Sequence, residues 1–192
     1  AQPEVRIFGG LGGAFLLGFL KDSQGRLAWT LTLAALAGMS AGSATWLWAL
    51  VTGSVGPTEI WTAGTPPPFA INLRMALPEA VLTLLISLTG LLATLSLKDA
   101  LLAQGRRAMA VLLVISMALC GVVLTRDIFN LFVFFELIVI ATAGLVLLSD
   151  DDRAIAAGFK YLVVSQVISA FMLIGIIFAY HATGSLNLDG MT

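Results

Sequence analysis

The run DIFNLFVFFELIVIATAGLVLL, residues 127–148, carries one ionisable side chain in its interior, Glu136, among residues apolar enough to dissolve in lipid. A charge at that depth costs roughly 2.5–3.5 kcal/mol on insertion scales. Helical rise places Glu136 about 14 Å from one membrane surface and about 19 Å from the other, too deep to snorkel. Burial penalises the charged form, so such a carboxyl can bind and release a proton as its surroundings change. The bland alternative is a carboxyl that only ties helices together. A second deep ionisable group, Lys160, sits in AIAAGFKYLVVSQVISAFMLIGIIFAYHATG, residues 154–184, about 9 Å inside the nearer surface. Alone it could snorkel to the interface. Paired with Glu136 on the consecutive antiparallel helix it becomes one deep cation beside one deep anion. Their vertical offset of about 10 Å exceeds a direct ion pair, so water, another side chain or another subunit must close the gap.

Further polar residues accompany the pair. Ser165, Gln166 and Ser169 fall within about 100° of one another, on the side of their helix away from Lys160, which predicts protein against both sides. On the helix of Glu136, Phe132, Val133, Ile140 and Ala143 share its face, while Phe134, Ile138 and Leu145 lie opposite and suit lipid. Glu136 is therefore expected to point into protein or an internal water cavity. Thr83, Ser87, Gly90 and Thr94 form another stripe, for which interhelical hydrogen bonds of about 0.6 kcal/mol each are a sufficient reason, with wetting of a proton path as the alternative. His181 is read either as an interfacial residue or as a proton exit.

These side chains need helices to hold them, and the composition supplies little else. Of 192 residues, 59% are hydrophobic and 11% charged, with a mean hydropathy of +1.00, far from the roughly 25% charged residues of a soluble domain. The chain reads as one all-α transmembrane domain over 1–192. Cutting at charges and Pro/Gly clusters gives about six spans, roughly 5–20, 28–52, 76–97, 108–125, 128–149 and 154–181. The first is short for a bilayer and needs Arg6 and Lys21 to snorkel or further residues upstream. The loops after spans one, three and five hold Lys21, Arg26, Lys98, Arg106, Arg107 and Arg153, against Arg6, Arg74 and Arg126 on the other side. The richer side is expected to be cytoplasmic, which puts the N-terminus and the long loop 53–75 outside, the latter as a hairpin, lid or plain linker. Glu79 and Asp127 sit where carboxylates complement helix N-termini, and Asp152 or a neighbour should cap the last helix.

One cysteine, Cys120, and one histidine exclude an internal disulfide and a multi-His or thiolate metal site; Cys120 reads as a packing residue. A net charge of −1 with no basic run gives no sign of nucleic acid. No Gly-rich phosphate loop follows a strand and no cysteine set could hold a cluster, so no cofactor is expected and any redox chemistry belongs to other chains. A structural scaffold subunit is the main alternative to ion translocation and a small-solute carrier or membrane enzyme a third, the enzyme being weak because there is no nucleophile and base pair and no metal spacing.

The segment RDIFNLFVFFELIVIATAGLVLL, followed by AIAAGFKYLVVSQVISAFMLIGIIFAYHATGSLNL, resembles the antiporter-like, proton-conducting membrane subunits of NADH-quinone oxidoreductase, Mrp-type sodium/proton antiporters and membrane-bound hydrogenases. PPPFAINLRMALPEAVLTLLISLTGLLATLS is similar to the family's hairpin and third helix, and DIFNLFVFFEL is nearest to the D-type chain of Mrp antiporters. The resemblance implies that Glu136 matches the family's proton-transfer glutamate and Lys160 the lysine of its K-Y motif. It departs at RMALPEA, where Pro78 and Glu79 replace an acidic residue followed by small polar ones. It covers the first half of a larger subunit, which implies a partner chain, or a remainder of the same chain, supplying later helices. The implied partners are other membrane subunits, the lipid bilayer, H+ and Na+, in a bacterial or archaeal inner membrane. Glu136 is expected to carry protons, with Lys160 modulating it electrostatically.

Overall fold

The computed structural model describes residues 12–18, 24–61, 70–148 and 151–191. A short helix α1 covers 12–18. It is followed by α2 (Gly25–Val51), a hairpin of β1 (Thr58–Trp61) and β2 (Asn72–Met75), α3 (Leu77–Ser96), α4 (Lys98–Gln104), α5 (Arg106–Leu124), α6 (Ile128–Leu147) and α7 (Asp152–Thr183), and a 3-10 turn at Leu188–Gly190. Five of these, α2, α3, α5, α6 and α7, are long and apolar enough to cross a membrane. The chain is an all-α integral membrane protein. The expected first span, 5–20, lies mostly outside the described residues. Neither α4 nor the 3-10 turn has a counterpart among the expected elements, which place 98–107 in a loop; the seven residues of α4 are too few for a periodic pattern to declare itself.

Helix ends follow from local chemistry. Asp127 accepts from Asn130 N at 2.7 Å and caps α6, and Asp151 accepts from Arg153 N at 3.1 Å and caps α7. The Glu79 carboxylate reaches back to Ala76 N at 3.0 Å, with Pro78 in the first turn of α3. Gly105 (φ +76°) turns α4 into α5, and Gly184 (φ +68°) ends α7, both in the left-handed region that favours glycine.

The core lies among α2, α3 and α5. Leu36, Met109, Leu113 and Cys120 are essentially inaccessible, and Thr83, Ser87 and Thr94 are fully buried beside them. Close approach is the reason for Gly90: a Cβ there would meet Ser116 Oγ of α5 at 3.1 Å and Leu36 Cδ2 of α2 at 3.2 Å. The hydroxyls of the α3 stripe bond their own helix. Ser87 donates to Thr83 O at 2.9 Å and Thr94 to Gly90 O at 2.8 Å, so small size and internally satisfied polarity, more than bonds between helices, suit them to this seam.

One end of the bundle carries a hydrogen-bonded layer. β1 and β2 pair antiparallel with Thr58 opposite Met75, β2 bridges to Thr125, and Asp127 bridges to Asn187. Arg126 N donates to Asn72 O at 2.8 Å, Leu188 N to Arg126 O at 2.8 Å and Ile128 N to Leu186 O at 2.9 Å. The Arg126 guanidinium grips Asp189, with Nε at 3.2 Å from Oδ2. Mainly through that hydrogen bond, Asp189 is held below the ordinary carboxylate range and Arg126 is pushed further up.

Candidate functional site

α6 and α7 lie side by side and antiparallel, and the interior carboxyl of one meets the amide of the other. Gln166 Nε2 donates to Glu136 Oε2 at 2.8 Å. The other oxygen, Oε1, is buried and makes no hydrogen bond among the described residues. Glu136 is thus half-buried, satisfied on one oxygen and open to a further donor on the other, where a neutral carboxyl, a water or an approaching cation could complete its bonding.

The helix face around Glu136 differs from the expected one. Phe134, expected toward lipid, inserts its ring into α5 at Gly121, where a Cβ would fall inside contact distance of three ring atoms. Leu145, expected toward lipid as well, packs on the α2/α3/α5 core. Val133 and Ile140, on the Glu136 side, are 41% and 55% exposed, while Ala143 is buried. The reason is non-local: a glycine on a neighbouring helix accepts a bulky ring that size alone would send to lipid. Glu136 nevertheless faces protein, because α7 brings Gln166 over it.

Lys160 is exposed and joins no hydrogen bond or ion pair among the described residues. It lies six residues before Gln166, about 9 Å along α7 and about 120° around it, so nothing described couples it directly to Glu136. Ser169 is half-buried, one turn beyond Gln166 and about 60° around, and Ser165 is also half-buried. His181 is exposed in the last turn of α7. The site therefore brings Glu136 and Gln166 together, sets Ser169 alongside, and leaves Lys160 and His181 apart. Two-sided protein cover of α7 is not present among the described residues: of its 32 residues only Gly158 and Ile176 are buried. A groove of about 550 Å³ runs along its outer surface past Gln166, Val167, Phe171 and Ile174.

No group of three or more His, Cys, Asp or Glu suited to a metal ion occurs among the described residues. Position on the helix groups Gln166 with the serines on equal terms; its length is the signal that sets it apart, since it is the polar side chain of that stripe able to reach a neighbouring helix.

The family described as NADH:quinone oxidoreductase/Mrp antiporter, transmembrane, matches residues 125–192, which hold α6, α7, Glu136 and Lys160. Over 161 residues the chain is 32% identical to the N-type subunit of the NADH-quinone oxidoreductase of Desulforudis audaxviator, covering 81% of this chain and 31% of that protein. Over 138 residues it is 34% identical to the D-type subunit of a probable K(+)/H(+) antiporter of Rhizobium meliloti, covering 71% of this chain and 26% of the relative. The fold matches a chain of the membrane-bound sulfane sulfur reductase, an archaeal respiratory membrane complex, with a TM-score of 0.87 and 27% identity over 98% of this chain and 39% of the other. The chain spans under a third of the length of these two curated relatives. It is related, over that share of their length, to the antiporter-like membrane subunits of NADH:quinone oxidoreductases and Mrp antiporters.

Proposed function

We propose that the chain is part of a proton-translocating, or proton/sodium-translocating, membrane subunit of an antiporter or respiratory complex, in which Glu136 carries the proton. The observation that carries this reading is the half-satisfied carboxyl: Oε2 held by Gln166 at 2.8 Å and Oε1 buried without a partner among the described residues. Hydrogen bonds to both oxygens would favour the charged form, whereas this carboxyl leaves one oxygen to accept from water or, once protonated, to donate to it. The Gln166 amide offers a donor to the charged form and, after rotation, an acceptor to the neutral form, so it can serve both.

Lys160 modulates the site in this reading. A cation brought nearer stabilises the carboxylate and one withdrawn lets the proton return. The distance of about one and a half turns along α7 requires an intermediary, and the open surface of α7 is where one can enter. Further membrane segments, supplied by the rest of a longer chain or by a partner subunit, are the natural cover for that surface; related solved chains belong to multi-subunit assemblies. The end carrying Arg26, Lys98, Arg106, Arg107 and Arg153 faces the cytoplasm of a prokaryotic cell, and the hairpin and N-terminus face outward.

Glu136→Gln in the assembled complex tests the proposal by proton flux into proteoliposomes. Loss of flux with unchanged assembly is expected. Unchanged flux overturns it, and loss of assembly with the remaining flux intact assigns the residue to a scaffold.

A further inference from the structure

At the end of the bundle opposite the hairpin, the start of α2 and the corner between α3 and α4 enclose a pocket of about 400 Å³. It is lined by Arg26, Trp29, Thr30, Lys98, Asp99 and Leu102. Trp29 is its fixed wall: the indole Nε1 donates to Thr94 O of α3 at 3.2 Å, and Lys98 Nζ stands 5.0 Å from the ring centroid. Arg26 and Asp99 are exposed and join no hydrogen bond or ion pair among the described residues. The pocket thus presents two cations and one carboxylate, with only the Lys98 ammonium engaged, and that weakly. An indole at this level, one turn inside a membrane helix, belongs to the headgroup region. The two helices that meet there carry exposed leucines, with Leu27 and Leu31 of α2 and Leu92 and Leu95 of α3 each more than a third exposed.

We propose that this pocket binds the headgroup of an anionic phospholipid of the phosphatidylglycerol type, with acyl chains along the exposed leucines. The phosphodiester carries a single negative charge, which Arg26 and Lys98 can meet together. Asp99 would repel a second anionic group and can accept a hydrogen bond from a glycerol hydroxyl, so the three charges select a phosphate joined to a neutral polyol. Basic pockets between membrane helices suit such headgroups, and the exposed leucines on the same two helices argue for a lipid over a soluble phosphate. None of these residues belongs to the Glu136 site, so the proposal stands or falls independently of the translocation reading.

The test uses the full chain reconstituted in phosphatidylcholine vesicles at low salt. Spin-labelled phosphatidylglycerol, phosphatidylserine and phosphatidylcholine are the probes, and the motionally restricted fraction is read by electron paramagnetic resonance. Phosphatidylglycerol should be preferred over phosphatidylcholine about fivefold, as one net cation at the interface predicts. Arg26→Gln with Lys98→Gln should abolish that preference, and Asp99→Asn should reduce discrimination against phosphatidylserine. Arg107→Gln, at the same membrane face but outside the pocket, should change neither. Thr30→Trp keeps every charge and fills the pocket, and should abolish the preference even where the double variant fails to fold. Selectivity surviving Thr30→Trp, or falling equally with Arg107→Gln, overturns the site. Displacement of the labelled lipid by millimolar glycerol 3-phosphate overturns the lipid as its occupant.

Discussion

Two stripes of uncharged polar residues, on α3 and on α7, lie in opposite environments. Thr83, Ser87 and Thr94 on α3 are fully buried against α2 and α5, and their hydroxyls return to carbonyls one turn back in the same helix. Ser165, Gln166 and Ser169 on α7 are half-buried or exposed, and the longest of them reaches across to a carboxyl on α6. A hydroxyl that satisfies itself locally behaves as a small, nearly apolar surface and lets backbones approach. An amide on a longer stem cannot do so and seeks a partner elsewhere. The division of labour between the packed half of the molecule and the half bearing the carboxyl therefore rests on side-chain length as much as on polarity.

That contrast is broken most forcefully at the joint between the halves. Gly121 of α5 receives the Phe134 ring of α6, leaving no room for a side chain. Gly121→Leu is expected to push α6 off the core, with loss of folded protein after detergent extraction, since overpacking costs about 1–3 kcal/mol even where neighbours can shift and here the neighbour is a rigid ring. Yield and thermal unfolding of the purified protein measure it. Gly144, on α6 with open space around it, is the matched control, and Gly144→Leu should be tolerated.

The next largest effect belongs to the carboxyl's partner. Gln166→Leu removes the donor to Glu136 Oε2 while preserving much of the side-chain volume. A hydrogen bond to a charged group is worth about 1.5–3 kcal/mol, so proton flux should fall roughly tenfold or more with assembly intact. Gln166→Glu restores polarity but sets two carboxyls together. It should move the pH at which flux is half-maximal upward, an outcome that a purely structural amide would not produce.

The spans could be read from the sequence because bilayer thickness imposes a length on apolar runs, and all five long helices begin and end within three residues of the expected cuts. α7, Asp152–Thr183, runs two residues past its expected cut at each end, out to its caps Asp151 and Gly184. Glu136 and Gln166 were legible as polar residues in the wrong solvent. Their contact was not, because it depends on the rotation of α6. That rotation is set by the insertion of Phe134 into Gly121, a pairing between two helices that periodicity within one helix cannot encode. The clasp between Arg126 and Asp189 was equally hidden, since it joins residues 63 apart through the chain that follows α7.

On the packed side the comparison is sharpened by a small effect. Ser87→Ala deletes a hydroxyl that bonds only within α3 and opens a space of one oxygen atom. The expected cost is no more than about 0.6 kcal/mol in thermal unfolding, with proton flux unchanged. A large loss of flux from Ser87→Ala would mean that the buried stripe is wetted, and the two polar faces would then share one function.

The smallest effect is expected at the hairpin end, where the Arg126–Asp189 pair ties the α5–α6 junction to the segment after α7. Asp189 is held below its ordinary range by the guanidinium, so it contributes stability that is present above the ordinary carboxylate range and is lost as pH falls through its lowered folded value. Both side chains are partly exposed, at 26% and 45%, so solvent screens the pair and the gain is a few tenths of a kcal/mol. Asp189→Asn should remove that acid dependence, lower thermal stability slightly at neutral pH and leave flux through the Glu136 site unchanged. The backbone bonds from Ile128 to Leu186 and from Leu188 to Arg126 hold the layer whether or not the pair is charged, which is why the effect is small. A loss of several degrees in unfolding temperature on Asp189→Asn would show that the ion pair, and not the backbone, closes this end of the bundle.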